Sequence, residues 1–346
     1  MQPSRLAING YGRIGQCILR ALVERDDCRS LQLVALNELA DLATLAYLTR
    51  YDTIHGRFPG RVRAAEGQLW INDQPIQVLR HQQAADLPWQ ELGIDLLLEC
   101  TGSFKDRTTA EIHLQAGAQR LIFSQPAEAD VDATIIYGVN HQQLKAQQRI
   151  ISAGSCTTNC LVPVLKLLDE TYGIAAGSTT TLHSVMNDQP VSDAYHHQDL
   201  RLTRSALASI IPVDTGLAKG ISRLLPHLDG RIESLHLRVP TLNVSAMDIS
   251  LWLDQPVSVA EVNQLLLEAS QGALSGIVGY TEEPHASIDF NHDPRSAIVD
   301  ATQTRVAGRH LLKLLCWFDN EWGFANRMLD IALHWQAQPT APASPK

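Results

Sequence analysis

The chain has few cysteines, a deficit of positive charge and no long apolar run. Its six cysteines in 346 residues include no pair with zinc-ribbon or CxxC spacing, so we expect no metal site and a reducing, cytoplasmic environment. The net charge of −9 argues against a nucleic-acid partner or an anionic membrane surface. No apolar run approaches the roughly eighteen residues of a membrane-spanning helix, and the first residues lack the charged and apolar regions of a signal peptide.

Length and composition predict a globular protein of about two domains. Hydrophobic residues make up 45% of the chain and charged residues 19%, so each domain can bury a core. The final residues, 337–346, are rich in proline, alanine and polar groups, and this composition predicts a disordered tail.

The first forty residues follow the order of a dinucleotide-binding unit. A short apolar strand at 6–9 leads into a GxGxxG sequence at 10–15, an amphipathic helix, a second strand at 31–36 and then Glu38. In this order the glycines let the backbone approach a pyrophosphate, and Glu38 binds the adenosine ribose while repelling a 2′-phosphate. The pattern predicts a Rossmann unit that prefers NAD to NADP; a purely structural glycine turn is the alternative. The candidate cofactor-binding residues are Gly10, Tyr11, Gly12, Arg13, Ile14 and Glu38.

Further strands of the same sheet are predicted at 95–99, 120–123, 133–139 and 149–152. The first of these is followed closely by Thr101 and the second by Ser124, and strand ends of this kind line the crevice where a dinucleotide binds. The strand at 149–152 delivers Cys156 to the same edge. The sequence therefore predicts that a thiol and a nicotinamide share one site.

The sequence SCTTNC at 155–160 is the strongest catalytic signal. Apolar residues at helical spacing follow Cys156 until Tyr172, which places the thiol at a helix N-terminus, where free N–H groups favour thiolate. A β-branched strand then ends in His183, whose imidazole is expected to hold that thiolate and move protons. The alternatives are a buried structural cysteine and a solvated surface histidine.

Anion-binding residue types follow in the second half. Arginine offers a planar fork for phosphate, and threonine and glycine supply hydroxyl and backbone donors; the candidates are Asp188, Arg201, Thr215, Gly216 and Arg238. Strands are predicted at 235–239, 244–253, 286–290, around 299 and at 312–318, with helices at 260–273 and 323–335. The expected fold class is α/β, with a Rossmann-type dinucleotide-binding domain and an α+β catalytic domain that contains a largely antiparallel sheet.

From Arg5 to about Leu333 the chain resembles the glyceraldehyde-3-phosphate dehydrogenase family. The matching tracts are INGYGRIG, SCTTNC, TTTLHS, NDQ, SIIPVDTG, RVPTLNV and WFDNEWGFANRM. The resemblance implies an NAD-binding domain at 1–154 and 320–336, a catalytic domain at 155–319 and a homotetramer. It makes Cys156 the nucleophile and His183 its base, adds Asn320 to the cofactor site, and adds Ser155 and Thr157 to the anion subsites.

Within the family, the tracts at 37–58 and 319–328 look most like the D-erythrose-4-phosphate dehydrogenase branch, which serves pyridoxal phosphate synthesis. Glu38 stands where glycolytic members usually have aspartate, and Met186 replaces a threonine of their phosphate site. Leu202 stands where relatives commonly have a second arginine, which favours water over phosphate as the deacylating nucleophile. Residues 195–198 form a stretch one residue longer than in relatives, and Ala153-Gly154 replaces the usual Asn-Ala. A phosphorylating glyceraldehyde-3-phosphate dehydrogenase and a non-catalytic dinucleotide-sensing or RNA-binding protein are the alternatives.

Overall fold

Two sheets organise the chain, each in its own unit. The structure is a computed structural model that describes residues 3–196 and 199–338. The first unit comprises the described residues of Met1–Ser155 and Ala325–Lys346, and the second those of Cys156–Phe324. Asn320, which the predicted domain limits placed with the cofactor-binding residues, lies in the second unit.

The first unit begins with alternating strands and helices. Its elements are β1 (Ser4–Asn9), α1 (Arg13–Glu24), β2 (Leu31–Asn37), α2 (Leu42–Arg50), β3 (Tyr51–Asp52), β4 (Gly56–Arg57), β5 (Val62–Ala65), β6 (Gln68–Ile71), β7 (Gln74–Leu79), β8 (Leu96–Glu99), α3 (Arg107–Gln115), β9 (Arg120–Phe123), β10 (Ala133–Thr134) and β11 (Ile150–Ser152).

Strand order in this sheet places β1 at its centre. The order is β10-β11-β9-β8-β1-β2-β7-β6-β5, parallel from β10 to β7 and antiparallel where β7, β6 and β5 form a meander. The central strands are buried on both faces, as their nearly continuous apolar sequences require. Because parallel strands end at one edge, Asn9, Asn37 and Glu99 lie side by side there.

The second unit opens with the helix that carries the SCTTNC sequence. Its elements are α4 (Cys156–Tyr172), β12 (Ile174–His183), β13 (Ile211–Val213), α5 (Leu217–Leu224), β14 (Ile232–Arg238), β15 (Ser245–Leu253), α6 (Val259–Gln271), β16 (Val278–Thr281), β17 (Ala297–Asp300), β18 (Arg305–Ala307), β19 (Leu311–Phe318) and α7 (Trp322–Gln336), which continues into the first unit.

The second sheet has the order β13-β14-β12-β15-β19-β17-β16, with β18 also pairing β19. Only the pairs β12–β14 and β16–β17 are parallel, so the prediction of a largely antiparallel sheet is confirmed. Helix α4 is buried at every residue from Cys160 to Leu165, which is more than one full turn. That burial fixes its first turn, where Cys156 lies.

Two predicted strands are wrong. The strand predicted at 133–139 ends at Thr134, because the Asn140 side chain accepts the Ile136 N–H at 2.7 Å and donates to the Thr134 carbonyl at 2.8 Å. The segment predicted as a strand at 286–290 is a 3₁₀ helix, Ser287–Phe290. There the Asp289 carboxylate accepts the Ala286 N–H at 2.8 Å and closes a turn.

Most of the predicted disordered tail lies outside the described residues. Of 337–346, only Ala337 and Gln338 are described, and their N–H groups donate to the carbonyls of Leu333 and Trp335 at 3.2 Å. His197 and Gln198, part of the longer stretch at 195–198, also lie outside them. Within the described ranges, every helix is too short or too polar to cross a membrane.

Candidate active site

The turn between β1 and α1 brings the backbone unusually close to a neighbouring strand end. Gly10 has φ +91°, and a Cβ there would lie 2.7 Å from the Thr101 nitrogen. A Cβ on Gly15 would lie 2.5 Å from the Gly10 carbonyl oxygen, whereas one on Gly12 would meet nothing within 4 Å. Gly10 and Gly15 are therefore required by packing, and Gly12 leaves open space before the helix. Ile14, the remaining predicted residue of the turn, is half-buried.

Glu38 joins the glycine turn to the end of β2. Its carboxylate accepts the Tyr11 N–H at 2.9 Å and the Leu39 N–H at 2.8 Å. These two N–H groups hold the Glu38 carboxylate in place. Because Glu38 is only half-buried, part of its side chain stays accessible. This is the location that ribose recognition requires at the end of the second strand.

Two predicted cofactor residues use their side chains within the protein. The Tyr11 side chain is buried, and its hydroxyl shares a 2.8 Å hydrogen bond with Thr49. Its backbone is engaged as well, because its N–H donates to Glu38 and its carbonyl accepts from Gln16 at 3.0 Å. The Arg13 guanidinium pairs with Asp52. Burial favours the protonated form of Asp52, but Arg13 and the N–H groups of His55 and Ile54 lower its pKa to about 2.

Thr101 and Ser124 follow β8 and β9 at the edge that carries the glycine turn. Both the backbone N–H and the hydroxyl of Thr101 donate to Glu99, and the Ser124 N–H donates to the Glu99 carbonyl at 2.9 Å. Glu99 is 1% exposed, and burial raises the pKa of its carboxyl group. The predicted strand ends are thus held together by one buried acid that the sequence analysis did not single out.

The second unit brings the predicted nucleophile and base together. Cys156 is the first residue of α4, and His183 is the last residue of β12. The Cys156 Sγ lies 3.6 Å from His183 Nε2, within hydrogen-bonding reach for sulfur. A thiol and an imidazole in this arrangement can exchange a proton directly.

Desolvation opposes the thiolate that the helix N-terminus and the imidazole are predicted to hold. Burial raises the pKa of Cys156 to about 11, although the Arg238 charge and the Thr157 N–H act to lower it. Burial and the Arg238 charge lower the pKa of His183 to about 3, although the Ser184 carbonyl favours its protonation. Both shifts favour the uncharged forms, a thiol and a neutral imidazole, over the charged pair.

Arg238 lies beside His183 because of strand register. β12 and β14 are parallel and pair His183 with Arg238, whose Nη1 lies 2.9 Å from His183 Nδ1. Burial lowers the pKa of Arg238, while the exposed Asp188 opposes that shift through its charge. The charge of Arg238 acts to lower the pKa of both Cys156 and His183.

The remaining predicted residues of this unit are spread over separate loops. Ser155 and Thr157 flank Cys156, and the Thr215 hydroxyl accepts the Leu217 N–H at 3.2 Å beside Gly216, the N-cap of α5. Arg201 is exposed in a 3₁₀ helix, Leu200–Thr203, and within the described residues no hydrogen bond or ion pair joins its side chain to Cys156, His183 or Arg238.

Asn320 supports the loop after the catalytic histidine. Its side-chain oxygen accepts the Ser184 hydroxyl at 3.0 Å and the Ser245 hydroxyl at 2.9 Å. His236 stacks on His183 with ring centroids 5.1 Å apart. Ser184, Ser245 and His236 were not predicted to belong to the site. Only the two-residue period of β14, which places His236 and Arg238 on one face, could have indicated His236.

Comparison with known families agrees with both units. Residues 4–107 match the family model described as glyceraldehyde 3-phosphate dehydrogenase, NAD binding domain, and residues 155–320 match glyceraldehyde 3-phosphate dehydrogenase, C-terminal domain. The chain belongs to the glyceraldehyde-3-phosphate dehydrogenase family. Its first unit is therefore an NAD-binding domain, and the chain is an NAD-dependent oxidoreductase of that family.

One departure from the usual sequence of the glyceraldehyde-3-phosphate dehydrogenase family has a backbone explanation. Gly154 has φ +69°, a conformation in which an alanine would be strained, and its N–H donates to the Ser152 hydroxyl at 3.0 Å. Ala153 is fully buried. Just before Cys156 the backbone therefore adopts a conformation that favours glycine, and Ala153 supplies no side-chain amide.

Proposed function

We propose that the chain oxidises D-erythrose 4-phosphate to 4-phosphoerythronate with NAD, as a step in supplying pyridoxal 5′-phosphate. The observation that carries aldehyde oxidation is the 3.6 Å approach of Cys156 Sγ to His183 Nε2, with Arg238 alongside. A thiol, a base and a guanidinium suit an aldehyde that also bears a phosphate.

The residues of this chain divide the chemistry as follows. Cys156 adds through sulfur to the aldehyde carbon, and its proton passes to His183 Nε2. The imidazolium and the Cys156 N–H then stabilise the alkoxide of the hemithioacetal. NAD would supply, when bound, the hydride acceptor that oxidation of this carbon needs. The oxidised product is a thioester on Cys156. Once His183 has released its proton to solvent, Nε2 can take a proton from water, which attacks the thioester carbon and expels the Cys156 sulfur.

The glycine turn fits the pyrophosphate of NAD. Gly12 is the N-cap of α1, and no side chain caps this helix by a hydrogen bond. The space beside Gly12 is open, because a Cβ there would meet nothing within 4 Å. Backbone donors of the first turn can therefore reach a phosphate oxygen. Glu38 would hold the ribose hydroxyls and disfavour a 2′-phosphate.

Leu202 supports water as the deacylating nucleophile. It lies in the same 3₁₀ helix as Arg201, where relatives commonly have a second arginine. Inorganic phosphate competes poorly with water when a charge that would bind it is replaced by an aliphatic side chain. Met186, which is 44% exposed, stands in place of a phosphate-binding threonine and supports a substrate different from the glycolytic one.

The deciding experiment compares kcat/KM for D-erythrose 4-phosphate and D-glyceraldehyde 3-phosphate with NAD, each with and without inorganic phosphate. We expect the four-carbon substrate to be preferred, 4-phosphoerythronate to be the product, and phosphate to leave NADH production unchanged. Preference for the three-carbon aldehyde would contradict the substrate assignment, and an absolute phosphate requirement would contradict hydrolysis.

A charge-restoring variant tests the role of Leu202. Leu202→Arg should make phosphate stimulate NADH production, whereas a Leu207→Arg control should stay unresponsive to phosphate, as the wild type is expected to be. Leu207 is 57% exposed and lies outside the 3₁₀ helix, so the control adds the same positive charge away from that helix. Equal responses of the two variants would show that Leu202 does not set phosphate binding.

The assembly and setting of the enzyme are part of the same proposal. We expect a homotetramer in the cytoplasm, without nucleic-acid or membrane partners. Light scattering of the full chain would test the assembly, and a monomer at enzymatic concentrations would contradict it.

A further inference from the structure

A chain of side-chain amides runs along the carboxyl edge of the first sheet and ends on a buried acid. The backbone N–H of His81 donates to Asn37 Oδ1 at 2.9 Å, which fixes the orientation of that amide. Asn37 Nδ2 donates to Asn9 Oδ1 at 2.8 Å, and Asn9 Nδ2 donates to Glu99 Oε2 at 2.5 Å. Because an amide nitrogen only donates and an amide oxygen only accepts, every hydrogen bond of this chain points towards Glu99.

Two further donors reach the other carboxylate oxygen from the segment after β8. The backbone N–H and the hydroxyl of Thr101 donate to Glu99 Oε1 at 2.9 Å and 2.5 Å. The same hydroxyl accepts the Ser103 N–H at 3.2 Å. A protonated Glu99 could donate only to this hydroxyl among these partners, and the hydrogen of the hydroxyl would then need another acceptor. The arrangement therefore suits an ionised carboxylate.

The imidazole of His113 on α3 faces the same carboxylate. Trp89 Nε1 donates to His113 Nδ1 at 3.1 Å, and an indole can only donate, so the neutral ring carries its hydrogen on Nε2. That nitrogen lies 3.5 Å from Glu99 Oε2 and makes no hydrogen bond in the part of the chain that the structure describes. Glu99 is 1% exposed and His113 is fully buried. The ring thus adds a third donor direction towards Glu99 and offers it no acceptor.

The residues that Glu99 holds are the ones on which the glycine turn rests. The Gly10 N–H donates to the Asn37 carbonyl at 2.9 Å, and a Cβ on Gly10 would lie 2.7 Å from the Thr101 nitrogen. Gly10 is therefore packed against Thr101 with no room to spare. A shift of Asn37 or Thr101 would move the turn whose backbone donors are placed to bind the pyrophosphate of NAD.

We propose that Glu99 is a positioning residue for NAD. Its buried carboxylate holds Thr101 directly and holds Asn37 through the amide of Asn9. These contacts keep in place the two residues on which the backbone of Gly10 rests. Because Glu99 is buried beneath the turn, it acts on NAD through the turn rather than by contact. NAD affinity should therefore fall when the donors and acceptors of this network no longer match.

The test measures the Kd for NAD by calorimetry with the full chain freed of nucleotide. Glu99→Gln keeps the size of the side chain, but its NH₂ group must face a donor of either Thr101 or Asn9. We expect the Kd to rise about tenfold, the effect of one unsatisfied buried donor.

A double variant, Asn9→Asp/Glu99→Gln, moves the carboxylate one link along the chain. The carboxylate at position 9 can accept from Asn37 and from the new amide, whose oxygen serves Thr101. We expect its Kd to return to within about threefold of the wild-type value. Asn9→Asp alone should bind NAD more weakly than the double variant, because it sets two carboxylates face to face.

A pH series separates a titrating carboxylate from a purely structural contact. Burial raises the pKa of Glu99, and the donors of Thr101 and Asn9 oppose that shift. The titratable groups beside it are His113, whose pKa burial lowers to about 4, and Cys100, whose pKa is raised by burial and by the Glu99 charge. Both remain largely neutral between about pH 7 and about pH 5. Over that range NAD should bind the wild type more weakly as Glu99 takes up a proton, and Glu99→Gln should show a flatter course.

Glu91→Gln is the matched control, because it removes an exposed carboxylate of the same unit and should leave the Kd unchanged. Urea unfolding records the stability of each variant separately from its Kd. An unchanged Kd for Glu99→Gln, a double variant that binds NAD no better than Glu99→Gln, or the same pH course with and without Glu99 would overturn the proposal. If Glu99→Gln does not fold, a folded double variant whose Kd lies tenfold or more above the wild-type value overturns it. No turnover is measured, so failure of the substrate assignment leaves these readings intact.

Discussion

The protonation state of Cys156 predicts an unusual pH profile for its alkylation. With a pKa of about 11, the thiol is ionised to roughly one part in 10⁴ at pH 7. A cysteine at its ordinary value of 9.0 would be ionised about 100-fold more. We expect Cys156 to react with iodoacetamide correspondingly slowly at pH 7, with a rate that rises about tenfold per pH unit up to about pH 10.

The assay measures the second-order rate by mass spectrometry of the alkylated peptide at each pH. Cys160 shares the tryptic peptide with Cys156 but is fully buried, and Cys156→Ser gives its background rate. Iodoacetamide is neutral, so it does not compete for Arg238 as iodoacetate would. A plateau between pH 5 and 8 would refute the reasoning, because it would show a thiolate–imidazolium pair at rest.

The other predictions concern the first unit. Gly12→Ala should leave the free energy of unfolding unchanged and raise the Kd for NAD about tenfold. Gly15→Ala should lower the free energy of unfolding in urea by about 1–3 kcal/mol, because its Cβ would meet the Gly10 carbonyl oxygen. Equal effects of the two variants on stability would contradict the close contact at Gly15. Glu38→Gln should raise the KM for NAD about tenfold and improve kcat/KM for NADP, and unchanged discrimination would remove Glu38 from ribose recognition. Burial lowers the pKa of His113 to about 4, so its folded state binds fewer protons than the unfolded state and stability is lost as pH falls below about 6.5. His113→Asn should reduce this loss by about 1.4 kcal/mol per pH unit between pH 6 and 5, measured against a variant of the exposed His81.

The sequence predicted the parts of the site that depend on neighbours along the chain. The glycine turn, Glu38 at the end of β2 and Cys156 at the start of α4 follow from motif and periodicity over a few residues. The strand predicted at 286–290 failed for a local reason as well. Alternation of apolar and polar residues there does not reveal that Asp289 would close a turn.

The sequence could not predict the environment that sets protonation. A helix N-terminus lowers the pKa of a cysteine, but desolvation of the half-buried Cys156 outweighs that effect. Burial of Cys156 depends on packing across the whole unit. The contact of Arg238 with His183 likewise depends on parallel pairing of β12 with β14, strands separated by more than fifty residues.

A neutral catalytic pair has a consequence for the lifetime of the enzyme. Oxidants react with the thiolate rather than the thiol, so a resting Cys156 that stays protonated is protected from sulfenic acid formation. The same desolvation would slow catalysis if no group removed the Cys156 proton when substrate arrives. His183 Nε2 lies 3.6 Å from the Cys156 sulfur and can accept the thiol proton when the aldehyde arrives. Reactivity is then confined to the time during which a phosphorylated aldehyde occupies the site.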